Sequence, residues 1–310
     1  MALTISQIMA VSYPAVLAEM RKPANQWAES ALLRELEKQG AIERKSLGST
    51  IEAPLDYRRN PGTVIQATDL QPLSMSKTEV ITAASYDIAE ITAPIVWSKK
   101  DEVMNPTENQ KIALVKALLE NGIQSHDDIL EQALFGLSTN GLLGLLTHAP
   151  VSGQGSDGGI DSAIETWWRS QTAAYTNSAD IEAAMTTVWN RCAKGSGSKL
   201  LPTLIVSDGA TQALFESAQQ ALQRWSNTDE LKAGFKSLMF KNAKSVFSPY
   251  GTSSMYFLNP KNFSLVVSRE YFRDKSDTQE LQTQNGFTTR IYSAAQTITN
   301  NRSRIGVVHI

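Results

Sequence analysis

Few groups in this chain are equipped for chemistry. It carries three histidines and one cysteine in 310 residues, which excludes an internal disulfide and any cysteine-based zinc or iron–sulfur site within one chain. His126-Asp127-Asp128 with Glu131 places two carboxylates, Asp127 and Glu131, four positions apart on one helical face, half of a cation site. No second ligand cluster accompanies them. The preferred reading is a solvated acidic face with His126 packed at the edge of an apolar stripe. His148 and His309 stand near no nucleophile that the sequence identifies. Cys192 falls on the apolar stripe of its segment and reads as inert core.

Two glycine-rich stretches invite a phosphate. Gly153-Gln154-Gly155-Ser156-Asp157-Gly158 fits GxGxxG formally, but that fingerprint needs a preceding hydrophobic strand and a helix opening on its third glycine. Here a proline-containing loop precedes it, so a flexible loop is expected. Lys194-Gly195-Ser196-Gly197-Ser198-Lys199 lacks P-loop spacing and ends a helix where a cradle must begin one. No catalytic, cofactor-binding or metal-binding residue is therefore assigned, and no cofactor is expected. Trp97 and Trp189 fit core positions. Trp167-Trp168-Arg169 sets adjacent indoles on different sides of their segment, which puts one at an interface. Arg58-Arg59 reads equally as a solvated turn or as an interface pair reaching an acidic partner.

The surrounding chain is ordinary for a globular protein. Hydrophobic residues make up 42%, and 29 basic against 31 acidic side chains leave a formal charge of −2, which argues against coating nucleic acid by bulk charge. The first twenty residues lack a basic leader and are interrupted by Tyr13-Pro14, so no secretion signal is expected. No run of about 18 apolar residues occurs, so neither a transmembrane helix nor a membrane partner is expected. A soluble protein, intracellular when made, is the expectation.

The elements that must position these residues read as follows. Short apolar clusters at Ile5, Ile8, Val11 and then Val16, Leu17, Met20 precede a mixed-charge helical stretch, SALLRELEKQGAIERK. They pack on their own domain or form an arm docking on a neighbour. Residues 49–80 are extended and polar with an Asn60-Pro61-Gly62 turn, the pattern of a long hairpin with little core of its own. Strand-like residues run from Val80 to Trp97. Asn105 as N-cap and Pro106 at the first helical position then open a helix predicted over 106–136, with Ile112, Val115, Leu119, Ile123, Leu130 and Leu134 on its stripe. The glycine-rich 136–159 reads as loop. A helix starting near Ser178-Ala179-Asp180 and running through Ile181, Met185, Val188, Trp189 and Cys192 to the glycine-serine stop, a buried strand at 203–206 and a third helix after Ser207-Asp208-Gly209 follow. Strand-like pieces return at 238–240, 245–247, 254–258, 263–267, 288–294 and 304–310. Helices early and strands late predict an α+β fold.

This order of elements resembles the tailed-bacteriophage major capsid proteins of the Hong Kong 97 type. The resemblance rests on the polar hairpin, the strand closing on TAPIVW, the helix MNPTENQKIALVKALLENGIQSHDDILEQALFG and the later phrase DIEAAMTTVWNRCAKGSGSKLLPTLIVSDGATQALFE. SMYFLNPKNFSLVVSREY and TRIYSAAQTITNNRSRIGVVHI look like its late strands. It implies an N-terminal arm (1–48), an extended loop over a neighbouring subunit (49–80) and a peripheral domain (81–177) with 106–136 as spine helix. An axial domain (178–285) and C-terminal strands returning to the core (286–310) complete it. It further implies a non-enzymatic shell subunit, homo-oligomeric as pentamers and hexamers, enclosing double-stranded DNA by weak non-specific contact. Scaffolding, portal and decoration proteins would be its partners, and the virion, assembled in the host cytoplasm, its location. Inter-subunit contact candidates are Arg58, Arg59, Asp69, Lys77, Trp167 and Trp168. Fifty residues before the loop are too few for a long coiled-coil scaffold, so scaffolding is expected as a separate protein or already absent. No covalent crosslink is expected at Lys77. The alternatives are an encapsulin-like compartment shell and a nucleotide-binding enzyme using the Gly153–Gly159 loop.

Overall fold

A computed structural model describes residues 31–46, 48–66, 77–104, 108–136, 138–193, 201–223 and 239–310. Asp69, the Asn105-Pro106 cap and Lys194–Lys199 lie outside these. In chain order come α1 (Ala31–Lys38), β1 (Ile42–Lys45), β2 (Thr50–Asp56), β3 (Ile81–Asp87), β4 (Ala89–Ser98), α2 (Lys99–Met104) and α3 (Glu108–Phe135). Then follow β5 (Ser138–Thr139), β6 (Leu142–Leu143), α4 (Leu145–His148), β7 (Ser156–Asp157), β8 (Ile160–Asp161), β9 (Gln171–Ala174), α5 (Ile181–Cys192), β10 (Leu204–Ser207) and α6 (Gly209–Gln223). The remainder is strand: β11 (Met239–Phe240), β12 (Ala243–Phe247), β13 (Ser254–Leu258), β14 (Phe263–Ser268), β15 (Asp274–Lys275), β16 (Gln279–Glu280), β17 (Gly286–Thr299) and β18 (Gly306–His309). The mixture is α+β.

The predicted helical stretch through Lys45 ends early, and the residue that ends it is visible in the sequence. Gly40 has φ +70°; its N–H donates to the Glu37 carbonyl at 3.1 Å and the Ala41 N–H to the Leu36 carbonyl at 2.8 Å, a Schellman cap. Released from the helix, Ile42–Lys45 pairs in parallel with β14. α1 is held at both ends of its length. Glu35 receives the Lys244 ammonium at 2.6 Å and that of Lys38 at 3.1 Å. Burial pushes the Glu35 carboxyl up, but the hydrogen bonds and charges of the two lysines outweigh it and hold it below the ordinary range.

Two six-stranded sheets carry the architecture. In the first, β17 is paired on both edges: β4 runs antiparallel along Gly286–Ala295, while β14, β15 and β16 take successive parts of the other edge. α3 lies on one face of this sheet, burying Val115, Leu119 and Ile123 against Ala93, Ile95, Trp97 and Ile291. Gly122 is what lets the helix come so close, because a Cβ there would meet Ile95 Cδ1 at 2.7 Å and Cγ1 at 2.8 Å. The second sheet has the order β11-β12-β10-β13-β18-β9. Alternate residues split its two faces: Ile205, Met255, Phe257 and Val308 meet α5 and Phe215, whereas Leu204, Val206, Tyr256 and Val307 meet α1 and the C-terminal end of α3. Both faces are covered, so β10 and β13 read as continuous apolar runs instead of alternating ones.

Two further expectations change. The glycine-rich 136–159 is no slack loop, since it forms two short hairpins and α4 and sends Leu142, Leu145 and Ala149 into the main core. The strand-like run from Val80 breaks at Ile88. Its first part returns along β2, with Ala53 opposite Ala84, and its second joins the first sheet.

Gly122→Ala should lower stability by about 1 kcal/mol, because overpacking of roughly 1–3 kcal/mol exceeds the roughly 1 kcal/mol of helix propensity gained; Ile95→Val in the same chain should restore part of it. Urea midpoints of the four chains decide this, and an Ala variant as stable as the parent refutes it. The Glu35–Lys244 pair makes a pH prediction. Its folded carboxyl lies below the unfolded value of 4.5, so its stabilisation is complete above that pH and fades as the pH falls through the folded value. The stability gap between the parent and Lys244→Met should therefore narrow below about pH 4.

Candidate inter-subunit surfaces

The residues with chemical potential turn out to be committed inside the chain. Asp127 is buried and its Oδ1 receives Arg273 Nε and Nη2, each at 2.9 Å, with His126 Nδ1 at 3.2 Å. Glu131 accepts the Leu32 N–H at 2.9 Å, the Leu33 N–H at 3.0 Å and the Ser248 hydroxyl at 3.1 Å. The spine-helix carboxylate thus caps the first turn of α1. Burial pushes the Glu131 carboxyl above its ordinary range, opposed by those three donors. The expected solvated acidic face is instead a buried one, made tolerable because protein donors replace water at each carboxylate. Those donors also leave it unsuited to a cation. Cys192 is buried beside Val188 and Ile205 as expected.

No phosphate cradle forms at Gly153–Gly158. The segment leads into the β7–β8 hairpin, and a 3-10 turn at Thr166–Trp168 follows where a helix N-terminus would be required. What the sequence did not reveal is a knot beneath this hairpin. Arg302 is fully buried and donates from Nε to the His148 carbonyl at 2.8 Å, from Nη1 to the Gly155 carbonyl at 2.7 Å and from Nη2 to the Thr147 carbonyl at 2.9 Å. Its Nε also lies 3.5 Å from Asp157 Oδ2, which is 2.8 Å from His148 Nδ1. Trp168 donates its indole N–H to the Asp157 carbonyl at 3.0 Å. Burial lowers the Arg302 pKa, partly offset by Asp157. The charged groups of this knot are buried, so it holds structure and offers no substrate access.

The knot anchors the root of the β2–β3 hairpin. Ala53, Leu55, Ala84 and Tyr86 face inward onto Trp168, Val266 and Ile298, the Ser85 N–H donates to the Gly158 carbonyl at 3.0 Å, and the Tyr86 hydroxyl reaches the Thr299 carbonyl at 3.2 Å. The hairpin therefore rests on its own body at the root. Beyond Asp56 it leaves that body: Arg58 and Arg59 are exposed, the predicted Asn60 turn closes through the Thr63 N–H at 3.2 Å, and Ile65 is 99% exposed. Trp168 is 1% exposed, buried within its own chain, which leaves it no surface for a neighbour. Trp167 is half-buried and stacks on Tyr57, with ring centroids 5.1 Å apart. The structure so brings Trp167 to the residue next to Arg58, with Ile164 (77% exposed) three positions away. Lys77 is exposed on the returning side. Tyr57, Ile81 and Ile164 were missed. Ile81 was findable by parity, since Ala84 and Tyr86 point inward and an odd-numbered isoleucine must then face solvent.

These features sit on a known architecture. The cyanophage A-1(L) capsid subunit superimposes with a TM-score of 0.67 at 15% identity, covering 92% of this chain and 94% of that one. The chain has the Hong Kong 97-type capsid fold. The same fold relates it to a structure from Mycobacterium phage Cain, TM-score 0.57 at 14% identity over 87% and 88% of the two chains. It also relates it to the SrpI encapsulin of Synechococcus elongatus, TM-score 0.57 at 9% identity over 93% and 88%. No protein-family model and no curated protein sequence matches the chain.

Within this capsid fold, Arg302→Met should cost about 3–5 kcal/mol by leaving three carbonyls without their donors and a buried carboxylate with one cation fewer. Arg302→Lys should recover little, because one amine cannot reach carbonyls that three guanidinium nitrogens serve. Denaturant unfolding measures both, and a loss under about 1 kcal/mol for Met refutes the assignment.

Proposed function

We propose that this chain is the structural subunit of an icosahedral phage head, assembling as pentamers and hexamers into a shell around double-stranded DNA. The carrying observation is the end-to-end likeness to a cyanophage capsid subunit over 92% of this chain. The surface chemistry agrees with it. Ile65, Ile81 and Ile164 stand in solvent on one chain, and covering each isoleucine is worth about 1.5–3 kcal/mol. Trp, Tyr and Arg, the residue types enriched where binding energy concentrates, lie together just beyond the hairpin root, with Trp167 against Tyr57 and Arg58 next in the chain.

In this reading 1–48 is an arm, 49–80 carries the loop that lies over a neighbouring subunit, and Arg58, Arg59, Asp69, Lys77 and Trp167 contact sister copies. Residues 81–177 form the peripheral domain, 178–285 the axial domain, and 286–310 return to the core. A net charge of −2 suits a subunit that meets its sisters more than DNA. The work is tiling and not catalysis. Scaffolding, portal and decoration proteins are its proposed partners, and the virion, assembled in the host cytoplasm, its place. The likeness to SrpI encapsulin supports a second reading, a compartment shell holding protein cargo.

Electron microscopy of the purified chain distinguishes these. Phage-sized shells are expected; small uniform cages holding protein establish the second reading, and a stable monomer defeats both. Ile65→Asp should abolish or slow assembly while changing the monomer's unfolding free energy by less than about 1 kcal/mol, as surface substitutions do; Trp167→Ala should slow assembly too, with an added cost to the monomer because its ring also packs on Tyr57 and Trp168.

A further inference from the structure

His148 has its two ring nitrogens aimed at two oxygens. Nδ1 lies 2.8 Å from Asp157 Oδ2 and Nε2 lies 2.8 Å from Thr297 Oγ1. A neutral imidazole satisfies one acceptor and one donor, so the state of the ring depends on what Thr297 does with its only proton. That proton is already spent, because the Thr297 hydroxyl donates to the Leu143 carbonyl at 2.5 Å. Its oxygen is then an acceptor toward Nε2, and the Asp157 carboxylate is an acceptor toward Nδ1. With Asp157 as the carboxylate beside the Arg302 guanidinium, both ring nitrogens donate.

We propose that His148 is a buried imidazolium in the folded protein and that its second proton is a latch on the root of the β2–β3 hairpin. The groups around the ring are compatible with that charge. Asp157 supplies the counter-charge from the β7–β8 hairpin. Arg302 approaches the same carboxylate at 3.5 Å but is itself turned onto the Thr147, His148 and Gly155 carbonyls. Asp161 acts on Arg302 from β8. Tyr86 of β3 stands with its ring centroid 6.1 Å away and Phe263 of β14 at 5.5 Å, edge-on. The route from proton to hairpin is short: His148 holds Asp157, the neighbouring Gly158 carbonyl receives the Ser85 N–H, and Tyr86 packs beside it.

Loss of the proton forces a choice. Either Thr297 turns its hydroxyl to Nε2 and abandons the Leu143 carbonyl, or the ring abandons one of its two oxygens. Each leaves a buried polar group without a partner, which weakens the site. The hairpin root then opens more often while the second sheet, which touches none of these groups through hydrogen bonds, does not.

With only three histidines in the chain, ring-¹⁵N-labelled protein gives a readable spectrum, and His126→Gln and His309→Gln identify the His148 signals. At about pH 6.5 both His148 nitrogens should show the protonated shift and a directly bonded hydrogen. As the ring loses a proton, amide exchange at Ala53, Ala84 and Ser85 should speed up about tenfold beyond its intrinsic pH dependence, with β13 amides unaffected. Thr297→Ser should keep this behaviour and Thr297→Val should abolish the coupling. One unprotonated His148 nitrogen in the parent chain at pH 6.5 overturns the proposal, whether or not the valine variant folds. So does a doubly protonated ring whose deprotonation leaves hairpin exchange unchanged.

Discussion

Strand β17 is the constraint on which the molecule depends. Fourteen residues long and paired on both edges, it must find partners for backbone groups that no water reaches. β4 serves one edge from Gly286 to Ala295, and three separate strands share the other. The spine helix packs on the sheet this pairing creates, at a distance that Gly122 permits. Past Ala295 the strand's side chains take over the same task. Gln296 accepts the Leu143 N–H at 3.0 Å and donates to the Gly141 carbonyl at 2.8 Å, so one polar residue fastens the glycine-rich segment to the sheet.

The end of that strand leads directly into Arg302, and the logic repeats with charge. A guanidinium presents donors in a fixed plane, which suits three carbonyls converging on one point. The carbonyls of Thr147, His148 and Gly155 all belong to the segment that composition describes as slack. Its glycines give the backbone the freedom to turn those oxygens inward, and the arginine is what makes the turning favourable. The hairpin then stands on this fixed base, with its inner face packed and its outer part free of its own chain. A rigid root and an uncovered tip are what a subunit needs if the tip must meet a neighbour in a defined direction.

Much of this was legible in the linear pattern. Ile181–Cys192 showed its stripe, and the late strands appeared as apolar runs at nearly their observed places, whereas the first helical stretch reads on past Gly40 to Lys45. The order of elements carried the capsid resemblance without a single invariant motif. The contact surface was legible only in part. Arg58, Arg59 and Trp167 stood out by type, but two adjacent indoles gave no means of deciding which one faces outward, and nothing linked Tyr57 to Trp167 across more than a hundred positions.

Sequence alone determined the long helices and the apolar late strands, because periodicity acts over a few residues; it did not determine where α1 stops or that 136–159 folds into hairpins. Tertiary structure alone decided the fate of the polar residues. Glu131, Asp127, Asp157, His148 and Arg302 look like surface or site groups in one dimension. They are buried because donors and acceptors far away in the chain converge on them, and a desolvated charge is tolerable only where that convergence occurs. Such pairing is a property of three-dimensional proximity between separated segments, and local spacing carries no record of it.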